Sequence, residues 1–319
     1  MVQQIDLTQP KYNQNTYIGR SKHFFRVTNP LNLLVPSKQL EEAKQLIQDY
    51  SEGRLTDVNE KQLWRSKYLM DSAFHPETGE KMNLLGRMSA QVPCNMIITG
   101  CMMTWYKTNL AIFGWQWLNQ SFNALVNYTN RSGTKIMTNQ EILQSYFVAT
   151  AAATITALTF KSAITKFPPI VARFVPYTAV AAANCINIPF MRYGEVQNGI
   201  PVFDEQGRMV GQSSNAAKRA IFMVVVSRIF MCTPGMIIPP FLMESWEKKR
   251  FLRRFPAMNM PIQAALVGIF LTFMTPLGCA LFPQRASIRV SQLEANEKMR
   301  VMEKYGLSAD DKIYFNKGL

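Results

Sequence analysis

The stretch FVPYTAVAAANCINIPFMR, residues 174–192, decides the fold. It is apolar enough to lie in a bilayer and has about the 20 residues that a spanning helix needs. Two amides, Asn184 and Asn187, interrupt it shortly before Pro189. Because proline has no N–H, the carbonyl of Cys185 loses its helical partner within this polar region. The stretch therefore predicts a membrane-spanning helix with a polar face.

The polar residues of this helix recur at steps of three and four, so they share one face. Among them are Tyr177, Asn184 and Asn187. Two interpretations stay open. In the first, the stretch is a packing helix bent by its proline, and its amides hydrogen-bond to a neighbouring helix. In the second, it forms half of a polar binding site, because irregular backbone at membrane depth is tolerated where it lines a cavity.

Other apolar runs follow residue 92, whereas the first 90 residues are strongly polar. The five candidate spans are 96–118, 146–164, 174–191, 220–243 and 261–282. Residues 37–53 and 59–74 have apolar positions at helical spacing, which predicts two amphipathic helices. The predicted fold is all-α: a multi-pass helical membrane protein with about five transmembrane helices and an N-terminal amphipathic helical layer. The predicted domains are 1–91 (soluble helical region), 92–283 (transmembrane bundle) and 284–319 (C-terminal tail).

The chain is basic, with a formal net charge of +14. Its charge does not indicate a nucleic-acid partner, because the densest basic cluster is in the short loop 248–254 between the last two spans. Short loops rich in Lys and Arg stay on the inner side of a membrane. We therefore expect the N-terminus and loop 248–254 on the inner side. With an odd number of spans, the C-terminus would lie on the outer side.

Arg228 lies inside the span 220–243, where a charge costs at least ~2.5 kcal/mol. Such a residue usually faces the bundle interior and binds an anionic group, although it could instead extend toward the edge near Arg219. Three prolines interrupt the same span, and broken helices present free backbone dipoles at transporter sites. A zwitterionic amino acid needs a cation for its carboxylate and acceptors for its ammonium. Arg228, Asn184 and Asn187, with Tyr177 on the same face, are the predicted substrate-binding residues.

A ladder of amides runs along residues 115–131, WQWLNQSFNALVNYTNR. Its members step by three or four positions and include Asn119, Asn123 and Asn127. Uncharged donors and acceptors in this arrangement suit hydrogen bonding between helices or the wall of a polar pathway. An amphipathic helix at the membrane interface, anchored by two tryptophans, explains the pattern equally well.

The motif HPETGEK, residues 75–81, predicts a tight turn through its proline and glycine. Its notable residues are His75, Pro76, Gly79 and Lys81. The lysine and the turn N–H groups could hold an anion, but the motif lacks the glycine spacing of a phosphate loop. A structural turn and a ligand contact are both open.

Catalytic and metal chemistry are not indicated. The five cysteines lie in or beside apolar runs without metal-binding spacing, and neither of the two histidines has a second ligand nearby in sequence. No nucleophile–base pair or cofactor fingerprint is visible. We expect a protein that is not an enzyme and that binds neither a metal nor a cofactor.

Several long stretches resemble the sideroflexin family. These are HPETGEK, GRMSAQVPCNMIITGCMMTWY (86–106), the two helical stretches 115–131 and 174–192, and the terminal YFNKGL. The family's usual HPDTGEK has Glu77 as its acid here. The resemblance covers nearly the whole chain and looks most like the branch that carries serine.

This resemblance implies a five-span protein of the mitochondrial inner membrane, surrounded by its lipids and imported without a cleaved presequence. Its N-terminus would face the matrix, and the charge pattern then places the C-terminus in the intermembrane space. It would move serine and related small neutral amino acids into the matrix for one-carbon metabolism. The alternative is a membrane scaffold or assembly factor without transport activity, which would use the N-terminal layer as a docking surface.

Overall fold

The computed structural model describes residues 5–7, 10–55, 58–75, 78–130, 139–163 and 169–318. This part of the chain is mainly helical. The helices are α1 (Tyr17–Val27), α2 (Ser37–Ser51), α3 (Glu60–Ala73), α4 (Gln91–Trp105), α5 (Asn109–Thr129), α6 (Asn139–Ala163), α7 (Pro169–Ala172), α8 (Val175–Met191), α9 (Tyr193–Asn198), α10 (Ser214–Glu247), α11 (Arg250–Arg254), α12 (Asn259–Cys279) and α13 (Ala295–Tyr305). The strands are β1 (Ile200–Phe203), β2 (Met209–Ser213), β3 (Arg285–Arg289) and β4 (Lys312–Asn316).

The two helices predicted in the polar N-terminal region are confirmed as α2 and α3. The Asn59 side chain caps α3 by accepting a hydrogen bond from the Lys61 backbone N–H at 2.9 Å. Gly53, just after α2, has a φ of 74° that favours glycine. The apolar faces of these helices pack together around Leu63 and Tyr50. The N-terminal layer thus has a small hydrophobic core of its own.

Six longer helices form the bundle: α4, α5, α6, α8, α10 and α12. The closest packing is of α6 on α8 and of α12 on both α10 and α4. Within the described residues, two helical segments are long and apolar enough to cross a membrane, Ser214–Glu247 and Pro256–Cys279. They coincide with the last two predicted spans. The predicted spans 146–164 and 174–191 fall on α6 and α8, and their crossing of a membrane stays a prediction.

Helices α4 and α12 approach each other closely through small residues. A Cβ added at Gly100 would lie 2.8 Å from the Cα of Ala264. One turn away, a Cβ on Gly268 would lie 2.8 Å from the sulfur of Met96. Small residues four positions apart on one helix allow this kind of contact between backbones.

The first predicted span, 96–118, is wrong as a single helix. Helix α4 ends at Trp105, and α5 begins at Asn109. Thr108 caps α5 by accepting from the Ala111 N–H at 3.1 Å, and the Lys161 ammonium donates to the Lys107 carbonyl at 2.7 Å. A charged residue followed by an N-capping threonine ends one helix and starts the next. The apolar run therefore folds as a hairpin of two helices.

The expectation of an all-α fold is also wrong in part, because the chain forms a four-stranded antiparallel sheet in the order β2-β1-β4-β3. The β1–β2 hairpin turns through Asp204 and Gly207, whose φ is 82°. Strands β3 and β4 come from the C-terminal segment and pair with each other. Strands of four or five residues give a weak periodic signal beside long helical runs, so the sheet was not predicted.

This sheet packs directly on the start of α10. The shared core includes Val202 and Val210 of the hairpin, Ala216 and Ala220 of α10, and Ile313 of β4. The Ser213 hydroxyl caps α10 by accepting from the Ala216 N–H at 3.1 Å. The first two turns of α10 therefore belong to the sheet unit, and the rest of α10 belongs to the bundle.

The two terminal segments meet at the same end of the bundle. Arg20 of α1 donates to the Ala280 carbonyl, just after α12, at 2.8 Å. Lys317, just after β4, donates to the Cys279 carbonyl at 3.5 Å. Loop 248–254 joins the opposite ends of α10 and α12. The two terminal segments therefore lie at one end of the bundle, and the sides of a membrane on which they lie stay a prediction.

Candidate functional site

A cavity of about 100 Å³ lies between helices α4, α5, α8, α10 and α12. About 10–15 Å³ is enough to hold one water molecule, so this space is large enough for a small polar solute. The lining residues are Met88, Gln91, Asn95, Thr99, Asn119, Asn123, Val180, Asn184, Val224, Ser227, Arg228, Met231, Cys232, Gly235, Met236, Val267, Leu271, Thr275, Cys279 and Lys317. An apolar wall with a few convergent polar groups is the usual form of a small-molecule site.

Helix α10 contributes the largest share of the wall, including Ser227 and Arg228. Arg228 is half-buried and makes contacts within the protein. Further along α10, Pro239 and Pro240 lack the N–H groups that would pair with the carbonyls of Gly235 and Met236. Gly235 and Met236 also line the cavity. The same helix thus brings Arg228 and two residues with freed carbonyls to the wall of one cavity.

Three buried polar atoms on the cavity wall have no hydrogen-bond partner among the described residues. They are Nε2 of Gln91, Nδ2 of Asn119 and Oγ of Ser227, in side chains that are 7%, 4% and 3% exposed. A buried polar atom left unpaired costs about 1–3 kcal/mol. A polar molecule in the cavity would satisfy these atoms, which makes the wall suited to a hydrogen-bonding ligand.

Some of the residues predicted from sequence meet at this cavity. Arg228, Asn184, Asn119 and Asn123 all line it, although they come from three different helices. The sequence patterns placed them on separate elements, and the packing of α5, α8 and α10 brings them together. Whether they bind a ligand stays a prediction.

Other predicted residues lie elsewhere. The Tyr177 hydroxyl is 3.1 Å from the Thr233 hydroxyl and links α8 to α10. Asn187 is buried, and it is not among the residues of the cavity wall. The side chain of Asn127, on α5, lies outside the described part of the structure. The bond to Thr233 favours a packing role for Tyr177, whereas Asn187 has a buried Oδ1 without a hydrogen-bond partner among the described residues, and its binding role stays a prediction.

The HPETGEK turn belongs to the N-terminal layer and not to the cavity wall. Gly79 has a φ of 67°, and its N–H donates to the His75 carbonyl at 2.9 Å. The Lys44 ammonium holds the Gly79 carbonyl at 2.8 Å, and Lys81 pairs with Glu41 at 3.8 Å. These bonds favour the structural interpretation of the turn. Pro76, which completes the predicted motif, lies outside the described residues.

Sequence reasoning missed several polar residues of the wall, chiefly Gln91, Asn95, Thr275 and Lys317. The Asn95 amide donates to the Gln91 side-chain oxygen at 2.9 Å, one helical turn apart. That spacing, in a stretch otherwise apolar, was a usable signal for a polar face on α4. Lys317 is remote from every span in sequence, so no local pattern pointed to it.

The fold and the cavity define a class: a helical, membrane-associated protein with a polar cavity inside its bundle. The family profile described as Sideroflexins matches residues 6–319. Sideroflexin-1 of Bos taurus and of Homo sapiens are each 55% identical over 99% of this chain and 98% of their own length. Sideroflexin-3 of Rattus norvegicus is 54% identical over the same shares. No solved structure matches the chain.

The chain therefore belongs to the sideroflexin family. This agrees with the resemblance of its motifs, and the match extends through the sheet and the C-terminal segment that carries Lys317.

Proposed function

We propose that this protein carries serine and related small neutral amino acids across the mitochondrial inner membrane into the matrix, where they supply one-carbon metabolism. The observation that carries the proposal is the position of Arg228, in the wall of a cavity that amide side chains line between five helices. Family membership supports a membrane protein, and the resemblance of the motifs to the serine-carrying branch supports the substrate class.

In this proposal the carboxylate, the ammonium and the hydroxyl of serine have separate binding partners. The guanidinium of Arg228 binds the carboxylate, because charge-assisted pairs of this kind are the strongest hydrogen bonds available. The carbonyls freed by Pro239 and Pro240 accept from the ammonium group. Asn184 and the unpaired amide of Asn119 lie where a hydroxyl could exchange hydrogen bonds.

The proposed membrane arrangement uses all six long helices, α4, α5, α6, α8, α10 and α12, as crossings. Both terminal segments then lie on one side, and the basic loop 248–254 lies on the other. We keep the division into 1–91, 92–283 and 284–319 as a proposal for the domains. The strands β3 and β4 of the last segment complete a sheet with the hairpin of residues 200–213.

The test is uptake of labelled serine by purified protein in liposomes. We expect Arg228→Ala to abolish nearly all uptake. Arg228→Lys should keep only part of it, because lysine retains the charge and loses the bidentate fork. The matched control is Arg219→Ala on the same helix, since Arg219 is exposed and bonds only weakly, at 3.3 Å, to Gln292.

Each variant must insert and reach normal abundance for the comparison to count. If well-inserted Arg228→Ala protein takes up serine at the wild-type rate, Arg228 is not the carboxylate ligand. If the wild-type protein takes up no amino acid, the carrier proposal fails, and the scaffold alternative becomes the better explanation.

A further inference from the structure

Lys317 is a buried cation on the cavity wall that the proposed function does not use. Its residue is only 2% exposed. Its ammonium lies 3.5 Å from the Cys279 carbonyl and 3.4 Å from the Phe282 carbonyl. Good N–H···O bonds are 2.7–3.2 Å long, and an ammonium has three donors. Among the described residues these two contacts are long and engage two of the three donors, so the ammonium can still bind a better acceptor.

The backbone around Lys317 is fixed from several directions. The Lys317 N–H donates to the Gln284 carbonyl at 2.8 Å, which continues the pairing of β4 with β3. The Arg192 guanidinium donates to the Lys317 carbonyl at 2.9 Å. Gly318 follows with a φ of 78° and lies against Arg192. The backbone of this cavity-lining residue is therefore already ordered before a ligand binds, which lowers the cost of binding.

The charges near Lys317 are mostly positive. Burial lowers the pKa of Lys317; the Cys279 thiol acts in the opposite direction, and repulsion from Arg20, Arg228 and Arg192 lowers the pKa further. Arg192 is paired with Glu195 at 2.7 Å, whereas Arg20 donates to backbone carbonyls. Among the described residues that line the cavity, two are cationic and none is a carboxylate. A buried positive wall of this kind favours an anionic group over any other occupant.

We propose that Lys317 is a second carboxylate-binding residue of the cavity and that it makes the cavity select for ligands that carry a carboxylate. The inference rests on the proposed carrier function for the identity of its ligand. Lys317 shares the carboxylate with Arg228, so the C-terminal segment contributes directly to specificity. A ligand that carries only positive charge is rejected by the same two groups.

Binding to the purified full-length protein tests this inference, with stabilisation against thermal unfolding as the readout. The probes are serine, serinamide (which lacks the carboxylate) and succinate (a dicarboxylate). We expect Lys317→Gln to weaken serine binding about tenfold or more, as for one lost charge-assisted hydrogen bond. Serinamide carries only positive charge, so Lys317→Gln should not weaken its binding and should relieve part of its rejection. Lys312→Gln removes the same charge from an exposed position on β4 and is the matched control.

A merely structural role for Lys317 would change the binding of all probes alike. Lys317→Arg guards against misfolding, since it keeps the charge and should retain a preference for serine over serinamide. If Lys317→Gln binds serine as the wild type does, the inference is wrong and the carrier proposal is untouched. If the wild type binds succinate through Lys317 but no amino acid, the carrier proposal fails and the inference stands. If it binds neither carboxylate, both fail.

Discussion

Two asparagines on α8, three residues apart, have different surroundings, so we expect their substitution to affect serine uptake differently. Asn184 lines the cavity, whereas Asn187 is 7% exposed and away from the wall. We expect Asn184→Ala to lower the initial rate of serine uptake by a factor that corresponds to about 0.5–1.5 kcal/mol, the free energy of one hydrogen bond. Asn187→Ala should leave uptake near the wild-type rate. Initial uptake rates in liposomes, corrected for the amount of inserted protein, measure the difference.

Equal losses in the two asparagine variants would mean that the whole polar face of α8 meets the substrate. That result would restore the simple interpretation of the sequence, in which spacing alone defines the site. A larger loss for Asn187→Ala would contradict the cavity as the binding site.

His23 of α1 predicts a pH dependence for the N-terminal layer. Burial is the largest effect and lowers its pKa. Asp71 raises the pKa by a smaller amount, and Lys67 lowers it. The unfolded chain then binds a proton more readily than the folded layer does, so stability must fall as the pH drops below about 6.5. Thermal unfolding between neutral and mildly acidic pH should show this loss.

His23→Gln should flatten that acid dependence, because the variant has no titrating group at the position. The control is His75→Gln, which changes the only other histidine of the chain. If both variants retain the slope, another group is responsible for it.

At the scale of elements, the contact between α4 and α12 makes a matched pair of glycine substitutions informative. Gly100→Ala would place a Cβ within 2.9 Å of the Ala264 backbone, so the helices must separate. Gly114, on α5, has no atom within 4 Å of its would-be Cβ among the described residues. We expect Gly100→Ala to lower the unfolding temperature in detergent and Gly114→Ala to hold or raise it, since alanine favours helix by up to ~1 kcal/mol.

If the two glycine variants unfold at the same temperature, the close approach of α4 and α12 does not contribute to stability.

The elements also show what the sequence can and cannot reveal. Apolar runs predicted the helices well, because a helix is a local structure whose periodicity is visible in a short window. The break between α4 and α5 was missed because an apolar stretch continues past Lys107. The pairing of β1 with β4 joins residues 203 and 314, and no local signal encodes a contact over that separation.

The candidate site follows the same rule. Arg228 and the amides on α5 and α8 were predicted because a polar residue in an apolar run is conspicuous where it stands. Lys317 was not, since a lysine in a polar tail is ordinary until the fold buries it against the end of α12. The packing of the helices and the C-terminal segment brings the residues of the site together. Only those residues that lie within apolar helices could be predicted from the sequence.

At the scale of the whole molecule, the arrangement of the chain ends is testable. Protease recognition sites can be placed after Gly53, after Gly306 and within loop 248–254. We expect the first two to be cut together from one side of a sealed liposome and the third to be cut only from the other side. The expectation follows from the contacts of Arg20 and Lys317 with the same end of α12.

Liposomes must be sealed and uniformly oriented, which digestion before and after detergent treatment verifies. Cleavage after Gly53 and within loop 248–254 from the same side would support the five-crossing topology predicted from the sequence. It would contradict the proposed arrangement of six crossings.

Helix α10, with its 34 residues, is about 50 Å long, whereas the hydrocarbon core of a membrane is about 30 Å thick. One end is embedded in the sheet that carries Lys317, and the other is fastened by the pair Glu247–Arg173 at 2.6 Å to the start of α8. In mechanical terms α10 is a strut about 20 Å longer than that core, so wherever it crosses a membrane it must tilt or extend beyond the hydrocarbon region.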